Sequence, residues 1–309
     1  MVTDSTASFP PGVAERWGIG VVPLDVVVDG ERFAEGVDLS PEGLLDALTG
    51  NADVSTSQPS PAAFDAAYAR AAASGATAVV SVHLSGQMSG TVQAARLAAT
   101  TAPVPVHVVD SGTVGMALGF AVLEAARVAS GGLPVPATLV APVPPAPPAE
   151  GRRWFRRRVE AAPLPPVDDV VAAADRGAAA SRAWFLVDSL DHLRRGGRLS
   201  APAAALGIVL GLRPLLTIAD GSVVVAEKVR TRRAARDRLQ AVVLDDIKAR
   251  PAARAAVHHL GQPDLARTMA DQLAAWAGER LVEVVVCESS AVLAAHAGPG
   301  LLAVVVTDA

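Results

Sequence analysis

The sequence predicts an α/β protein built on a parallel sheet covered by helices. Segments rich in β-branched residues alternate with Ala-rich segments that have the apolar spacing of helices, at the intervals expected of βαβ units. Short polar stretches follow or end strand-like or extended segments at Asp4-Ser5, Thr56-Ser57, Ser89-Gly90-Thr91 and Asp110-Ser111. In such sheets ligands bind at the carboxyl ends of the strands. We therefore expect these hydroxyl groups to lie along one edge, where helix capping alone does not explain them.

Length and composition indicate a globular protein of two domains. The chain has 309 residues, 51% of them hydrophobic and 19% charged, and a domain averages about 150 residues. A net charge of −4 gives no global attraction to nucleic acid or to an anionic membrane. The apolar run Ala201–Leu212 is shorter than the roughly 20 residues of a membrane span, and Met1–Asp4 has no signal-peptide pattern. We expect a soluble cytoplasmic protein without stable membrane insertion.

The stretch around Ser89 is the first candidate site. Val79–Leu84 has the alternation of a strand, Ser85–Thr91 is small and polar, and Val92–Ala99 has helical spacing. A loop between a strand and a helix start directs free N–H groups and the positive end of the helix dipole at one point. Ser89 and Thr91 add hydroxyl donors, so the stretch suits an anion. The alternative is an ordinary βα turn whose hydroxyls cap the helix.

The remaining elements follow from the same local signals. Before residue 133 we predict strands at Val2–Thr6, Val21–Val28 and Val104–Val109, an extended segment at Val54–Pro61, and helices at Pro41–Leu48, Ala62–Ala73 and Gly115–Ala129. Ser40 is the expected cap of the first of these helices, with Pro41 at its first position. After residue 166 we predict helices at Val167–Ala180, Leu199–Leu212 and Asp264–Ala277, and strands at Trp184–Val187, Ala255–Leu260, Leu281–Cys287 and Leu302–Thr307. Asp220-Gly221 predicts a hairpin between two apolar runs.

The segment between Pro134 and Pro166 differs from the rest of the chain. It holds ten of the 23 prolines, too many for a helix or a central strand. It also contains the basic run Arg152–Arg158, with Trp154 and Phe155 inside it. We predict a linker or surface excursion in which the arginines are solvated, the alternative being contact with an acidic partner or nucleic acid.

Six motifs, in order along the chain, resemble the DegV family, the fatty-acid-binding proteins that serve bacterial fatty acid kinase. They are Val2-Thr3-Asp4-Ser5-Thr6, Thr56-Ser57-Gln58-Pro59-Ser60-Pro61, Ser89-Gly90-Thr91, Gly196-Gly197-Arg198-Leu199-Ser200, Glu227-Lys228-Val229-Arg230-Thr231 and His296 with Gly298-Pro299-Gly300. Each motif alone is weak evidence, and the ordered set is specific. The chain departs from the family pattern at Ala297, where the family often has Thr, and in its long Pro-rich segment.

The resemblance implies a fold, a ligand and a partner. It implies a two-domain α/β fold, with a parallel-sheet α/β/α first domain at 1–133, an insert or linker at 134–166, and a mixed-sheet α/β second domain at 167–309. A long-chain fatty acid would lie between the domains, with its carboxylate at Thr56, Ser89 and Gly90 and near His296. The resemblance further implies a non-catalytic subunit that presents this carboxylate to a separate kinase for acyl phosphate formation. Arg198 and Arg230 then serve kinase docking or support of the pocket, the alternative being arginines that only structure their loops.

Two rival functions and one metal site are weaker interpretations. An acyl hydrolase would use Ser89 as nucleophile and His296 as base, but Ser89 lacks the Gly two residues before it that a nucleophile elbow requires. A nucleic-acid-binding protein would rest on the Arg run alone. Adjacent residues of a strand face opposite ways, so we interpret His258-His259 as structural. The single Cys287 excludes an internal disulfide and a CxxC metal site. We expect no metal and no cofactor besides the bound fatty acid.

Overall fold

The structure, a computed structural model, describes residues 1–50, 52–131, 164–199 and 213–309. Most of the Pro-rich segment, including its Arg run, lies outside the described residues, as do residues 200–212 of the predicted buried helix. The strands in chain order are β1 (Val2–Asp4), β2 (Gly20–Val22), β3 (Asp25–Val28), β4 (Glu31–Ala34), β5 (Val54–Ser57), β6 (Val79–His83), β7 (Val106–Asp110), β8 (Arg182–Leu186), β9 (Leu215–Ala219), β10 (Ser222–Glu227), β11 (Ala253–His259), β12 (Leu281–Glu288) and β13 (Leu302–Asp308). The helices are α1 (Val13–Arg16), α2 (Pro41–Thr49), α3 (Pro61–Ala73), α4 (Thr91–Ala99), α5 (Met116–Ala129), α6 (Val167–Ala180), α7 (Asp191–Arg195), α8 (Arg232–Ala249), α9 (Pro263–Ala277) and α10 (Ala291–Ala297).

Two large sheets confirm the predicted α/β class. The four-stranded sheet has the order β2-β1-β6-β7 and is parallel throughout. The six-stranded sheet has the order β10-β9-β8-β13-β11-β12, and only its β11–β12 pair is parallel. A parallel sheet and a mixed sheet therefore follow one another along the chain, as expected. The division at residues 133 and 166 stays a prediction.

Helices and sheets alternate in layers. Helices α3 and α4 pack on the four-stranded sheet, and α8 and α9 pack on the six-stranded sheet. Between the sheets, α5 and α6 pack on each other and reach β6 on one side and β13 on the other. Gly177 of α6 allows this close contact, because a Cβ there would lie 2.8 Å from the Cα of Ala121. One hydrophobic cluster consequently joins residues of both sheets, including Val82 and Val305.

A small third sheet was not anticipated, and it corrects one prediction. The predicted single strand Val21–Val28 is wrong, since β2 and β3 belong to different sheets. Pro23 separates them because it has no N–H to donate, and the N–H of buried Leu24 donates to Ser5 Oγ at 2.9 Å. Strand β3 then pairs with β4 and β5 in the order β4-β3-β5. This three-stranded sheet brings Thr56 to the edge of the space between the two large sheets.

Local signals explain several of the remaining elements. Ser40 caps α2 by accepting from Gly43 N–H, as predicted. Asp220 and Gly221 both have positive φ, 48° and 75°, the requirement of a type I′ hairpin. Helix α10 was not predicted, although Ser290 caps it and Gly298 ends it. No helix among the described residues is both long and apolar enough to cross a membrane.

Candidate functional site

A mostly apolar cavity of about 380 Å³ lies between the two large sheets. Its apolar walls come from the six-stranded sheet, from α10 and from residues that follow strands of the four-stranded sheet. They include Leu84, Phe185, Ile218, Val223, Val292 and Val305. The size and the few polar groups in an apolar lining are typical of small-molecule sites. Most of the polar residues cluster at one end, which we call the head end: Thr56, Ser57, Gln58, Ser89, Arg198 and His296.

Thr56 and His296 meet at the head end although they are 240 positions apart. Thr56 Oγ1 lies 2.8 Å from His296 Nε2. Thr56 is on β5 of the small sheet, and His296 is in the last turn of α10. The contact leaves the Thr56 hydroxyl proton free for a ligand when Nε2 carries the imidazole proton and donates to Oγ1.

Ser89 and Gly90 form the facing side of the head end, in the loop between β6 and α4. Ser89 Oγ lies 2.8 Å from Thr91 Oγ1 and accepts the Thr91 N–H at 3.3 Å. Gly90 immediately precedes α4, and a Cβ there would lie 1.8 Å from Gln58 Oε1. Only glycine therefore allows Gln58 to lie this close to the loop. The loop lies between β6 and α4, as predicted, and its role as an anion pocket stays a prediction.

Arg198 connects the Gly196-Gly197 turn to this loop. Its Nε donates to the Met88 carbonyl at 2.9 Å, and its Nη1 donates to the Gly196 carbonyl. Gly196 is itself close to the head end, since a Cβ there would lie 2.3 Å from His296 Nδ1. Arg198 thus supports the wall next to Ser89. Arg230, in contrast, is exposed and does not line the cavity.

The head end contains the cationic side chain of Arg198 and a histidine that is neutral at pH 7. Burial, together with the nearby charges of Arg198 and His192, lowers the pKa of His296 to about 4. At neutral pH the imidazole therefore carries one proton and can both donate and accept. Such surroundings favour an anion, because Arg198 is cationic and the loop presents hydroxyl and N–H donors.

A second, polar cavity of about 580 Å³ adjoins the head end. It shares Thr56, Arg198 and His296 with the apolar cavity and is further lined by His192 and Arg195. Burial and the charge of Arg195 lower the pKa of His192. A second molecule could therefore approach a group bound at the head end through the polar cavity, while the apolar cavity is occupied.

The hairpin of the six-stranded sheet closes another part of the wall. Ser85, one residue beyond Leu84, donates its hydroxyl to the Gly221 carbonyl at 2.7 Å. A Cβ on Gly221 would lie 2.6 Å from Ser85 Oγ. The two glycine-dependent contacts, at Gly90 and Gly221, hold the loop after β6 against two different sheets.

The geometry does not favour hydrolase chemistry at Ser89. Its hydroxyl partner is Thr91, whereas His296 contacts Thr56. A chain of Ser81, His83 and Asp4 does have triad-like distances, with 2.7 Å from Ser81 Oγ to His83 Nε2 and 3.0 Å from His83 Nδ1 to Asp4 Oδ2. All three side chains are fully buried and none lines the apolar cavity. Within the described ranges, no group of three or more His, Cys, Asp or Glu side chains could hold a metal ion.

Sequence reasoning missed several cavity residues. His192 and Arg195 are among the residues that line the polar cavity, and Gln58 lies against Gly90. The sequence alone assigns these three residues no such role. His258 and Ser289 line the apolar cavity away from the head end. The sequence indicates a structural role for His258, because side-chain alternation along β11 shows only that one of the two adjacent histidines faces the sheet interior.

A family comparison matches nearly the whole chain. The model described as "Uncharacterised protein, DegV family" matches residues 1–141 and 165–309. The chain belongs to the DegV family. A DegV domain-containing protein of Streptomyces coelicolor is 42% identical over 100% of this chain and 98% of its own length. A DegV domain-containing protein of Mycobacterium bovis is 34% identical over 99% of this chain and 96% of its own length.

Solved structures of the DegV family have the same fold. A DegV family protein from Thermus thermophilus, for which fatty acid binding is named, is 30% identical to this chain. The TM-score is 0.82, and the match covers 100% of this chain and 98% of that one. DegV from Bacillus subtilis, described as a fatty acid binding protein, is 28% identical, with a TM-score of 0.81 over the same shares. The parallel and mixed sheets of this chain are therefore those of the DegV fold.

Proposed function

We propose that this DegV family chain binds a long-chain fatty acid, with the carboxylate at the head end and the acyl chain in the apolar cavity. The observation that carries the proposal is the pair of hydroxyls at Thr56 and Ser89, each held by a second polar group at the polar end of an apolar cavity. The fatty acid binding named for the Thermus thermophilus and Bacillus subtilis relatives supports it.

Burial of the acyl chain dominates the expected affinity. Each buried CH₂ contributes about 0.8 kcal/mol, so a chain of about fifteen carbons offers roughly 12 kcal/mol before the costs of binding. Hydrogen bonds to a charged group add only about 1.5–3 kcal/mol each. The head-end residues therefore mainly orient the carboxylate.

Extraction of the purified chain tests this proposal. We expect mass spectrometry of the extract to detect a long-chain fatty acid in stoichiometric amount, and the emptied protein to rebind one. Repeated extraction without an acyl chain, together with no binding of added fatty acid, would contradict the proposal.

We further propose that the bound carboxylate is presented to a separate kinase subunit for acyl phosphate formation. The polar cavity supports this, because it gives a phosphoryl donor access to the carboxylate without displacement of the acyl chain. Hydroxyl and N–H contacts suit such a substrate better than a buried Arg–carboxylate pair, which would hold the reacting oxygen firmly. Since the kinase draws on ATP, we place this step in the cytoplasm.

Substitutions of Arg198 and Arg230 can distinguish a role in supporting the pocket from a role in docking the kinase. Arg198 donates to the wall beside Ser89, so Arg198→Ala should weaken fatty acid binding. Arg230 is exposed and outside the cavity, so Arg230→Glu should impair phosphorylation by the kinase and leave fatty acid binding unchanged. Acyl phosphate formation from ATP by this chain alone would contradict the carrier role. Equal phosphorylation of the Arg230→Glu and parent proteins would remove Arg230 from the docking surface.

A further inference from the structure

Two polar side chains interrupt the apolar wall away from the head end. His258 is on β11 and Ser289 directly follows β12, and both line the apolar cavity. Each residue is only 4% exposed. His258 pairs in register with Cys287, and Ser289 is two residues further on, so side-chain alternation puts both on the same face. They form a small polar patch, the His258–Ser289 patch.

The His258 Nδ1–H and the Ser289 hydroxyl of this patch make only weak hydrogen bonds to neighbouring protein groups. His258 Nε2 accepts the Met116 N–H at 3.0 Å, which places the imidazole proton on Nδ1. The contact of Nδ1 is Cys287 Sγ at 3.4 Å, and sulfur is a weak acceptor. The Ser289 hydroxyl donates to the Ser290 carbonyl only at 3.5 Å, the outer limit of a hydrogen bond. Burial lowers the pKa of His258 to about 4, so the ring is neutral.

The patch is separated from the head end by the length of α10. Val292, Leu293 and His296 of this helix all line the cavity. From Ser290, which caps the helix, to His296 is a rise of about 9 Å at about 1.5 Å per residue. A chain whose carboxylate is at the head end would thus pass the His258–Ser289 patch with its middle carbons.

We propose that the His258–Ser289 patch binds a hydroxyl group carried in the middle of the acyl chain, so that the ligand class is a long-chain hydroxy fatty acid. This inference rests on the proposed function. The ligand hydroxyl either accepts the Ser289 hydroxyl proton, which then leaves the Ser290 carbonyl, or donates to Ser289 Oγ and accepts from His258 Nδ1–H. An acyl chain without a hydroxyl group would leave His258 and Ser289 with only their weak hydrogen bonds. Binding such a chain is opposed, because it removes water from buried polar groups without supplying a hydrogen-bond partner.

A positional scan tests the proposal. The full chain, emptied of lipid, is titrated with stearate and with hydroxystearates that carry the hydroxyl at successive carbons. We expect the hydroxystearate with a mid-chain hydroxyl to bind about fivefold more tightly than stearate, the effect of one buried hydrogen bond. Hydroxyls at other positions should give a smaller gain or none. Ser289→Ala should remove most of this preference. Val292→Ala is the matched control, because it enlarges the same wall and should weaken both ligands without changing their ratio.

The outcomes separate this inference from the proposed function. Stearate binding with no mid-chain preference, or a preference that Ser289→Ala leaves intact, overturns the inference and leaves fatty acid binding in place. Binding of neither ligand overturns both. Circular dichroism checks that Ser289→Ala is folded, and His258→Gln is the second variant, expected to reduce the preference in the same direction.

Discussion

Thr56 and Ser89 are the residues whose hydroxyls we expect to orient the ligand carboxylate. Their oxygens lie 2.8 Å from His296 Nε2 and from Thr91 Oγ1, respectively. Thr56→Ala or Ser89→Ala should each weaken fatty acid binding by about 1.5–3 kcal/mol, the value of one hydrogen bond to a charged group. Acyl phosphate formation should fall further because the carboxylate loses its orientation.

Dissociation constants measured by calorimetry check this prediction. Thr101→Ala is a suitable control, since Thr101 is an exposed residue outside the cavity. If Ser89→Ala changes neither binding nor phosphorylation, the carboxylate is not at the head end.

Glycine at position 90 makes room for the end of the Gln58 side chain, so its role can be tested by rescue. Its φ of −74° and ψ of 7° suit any residue, but a Cβ would lie 1.8 Å from Gln58 Oε1. Gly90→Ala should therefore weaken fatty acid binding in the parent and much less in a Gln58→Ala background. A double-mutant cycle of dissociation constants measures the coupling. Additive effects of the two substitutions would show that their contact does not matter.

His296 and His258 should make the fold sensitive to mild acid. The pKa of each is about 4 in the folded chain, against about 6.5 when unfolded. Between these values the unfolded chain binds more protons, so stability falls as the pH is lowered from 6.5 toward 4. Each histidine contributes up to about 1.4 kcal/mol per pH unit. Urea unfolding at pH 7 and pH 5.5 measures the slope, and His296→Gln should reduce it. An unchanged slope in that variant would mean that His296 is not held neutral.

At the scale of elements, local signals predict what lies within one segment. Ser40 with Pro41 identified the start of α2, and Asp220-Gly221 identified the hairpin, because caps and turns depend on near neighbours. The division of Val21–Val28 into β2 and β3 depends on the sheet with which each strand pairs. That pairing is set by tertiary contacts and not by near neighbours in the sequence. The contact between Thr56 and His296 joins strand β5 to helix α10, far apart in the chain. The sequence could therefore indicate both residues by family resemblance but not their hydrogen bond.

Destabilising helix α10 should affect both the free energy of unfolding and ligand binding, because this helix contains His296. Ser290 Oγ accepts the Leu293 N–H at 3.2 Å, and loss of such a cap costs about 1 kcal/mol. Ser290→Ala should lower the free energy of unfolding by about that amount and also weaken fatty acid binding. Ser60→Ala is the matched control, since Ser60 caps α3 on the outer face of the four-stranded sheet. It should lower stability similarly and leave binding unchanged. Equal binding by both variants would separate α10 from the ligand.

At the scale of the whole molecule, the two sheets share a middle layer formed by α5 and α6. These helices flank residues 132–163, and they already pack on each other. Ala129, near the end of α5, lines the same surface cavity as Leu164 and Pro165, just before α6. The two ends of the intervening segment are therefore neighbours, and a short bridge can join them.

We predict that residues 133–163 are dispensable for fatty acid binding. Their prolines lack backbone donors for a sheet or helix interior, and the arginines of Arg152–Arg158 repel one another and favour solvent. A short Gly/Ser bridge in place of this segment should leave the unfolding free energy within about 0.5 kcal/mol, as for surface changes, with unchanged affinity for a long-chain fatty acid. A longer deletion that also removes Val170, which is 5% exposed, is the control and should unfold the protein. If the bridged protein itself unfolds or loses the ligand, residues 133–163 belong to the fold, and their assignment to an insert or linker is wrong.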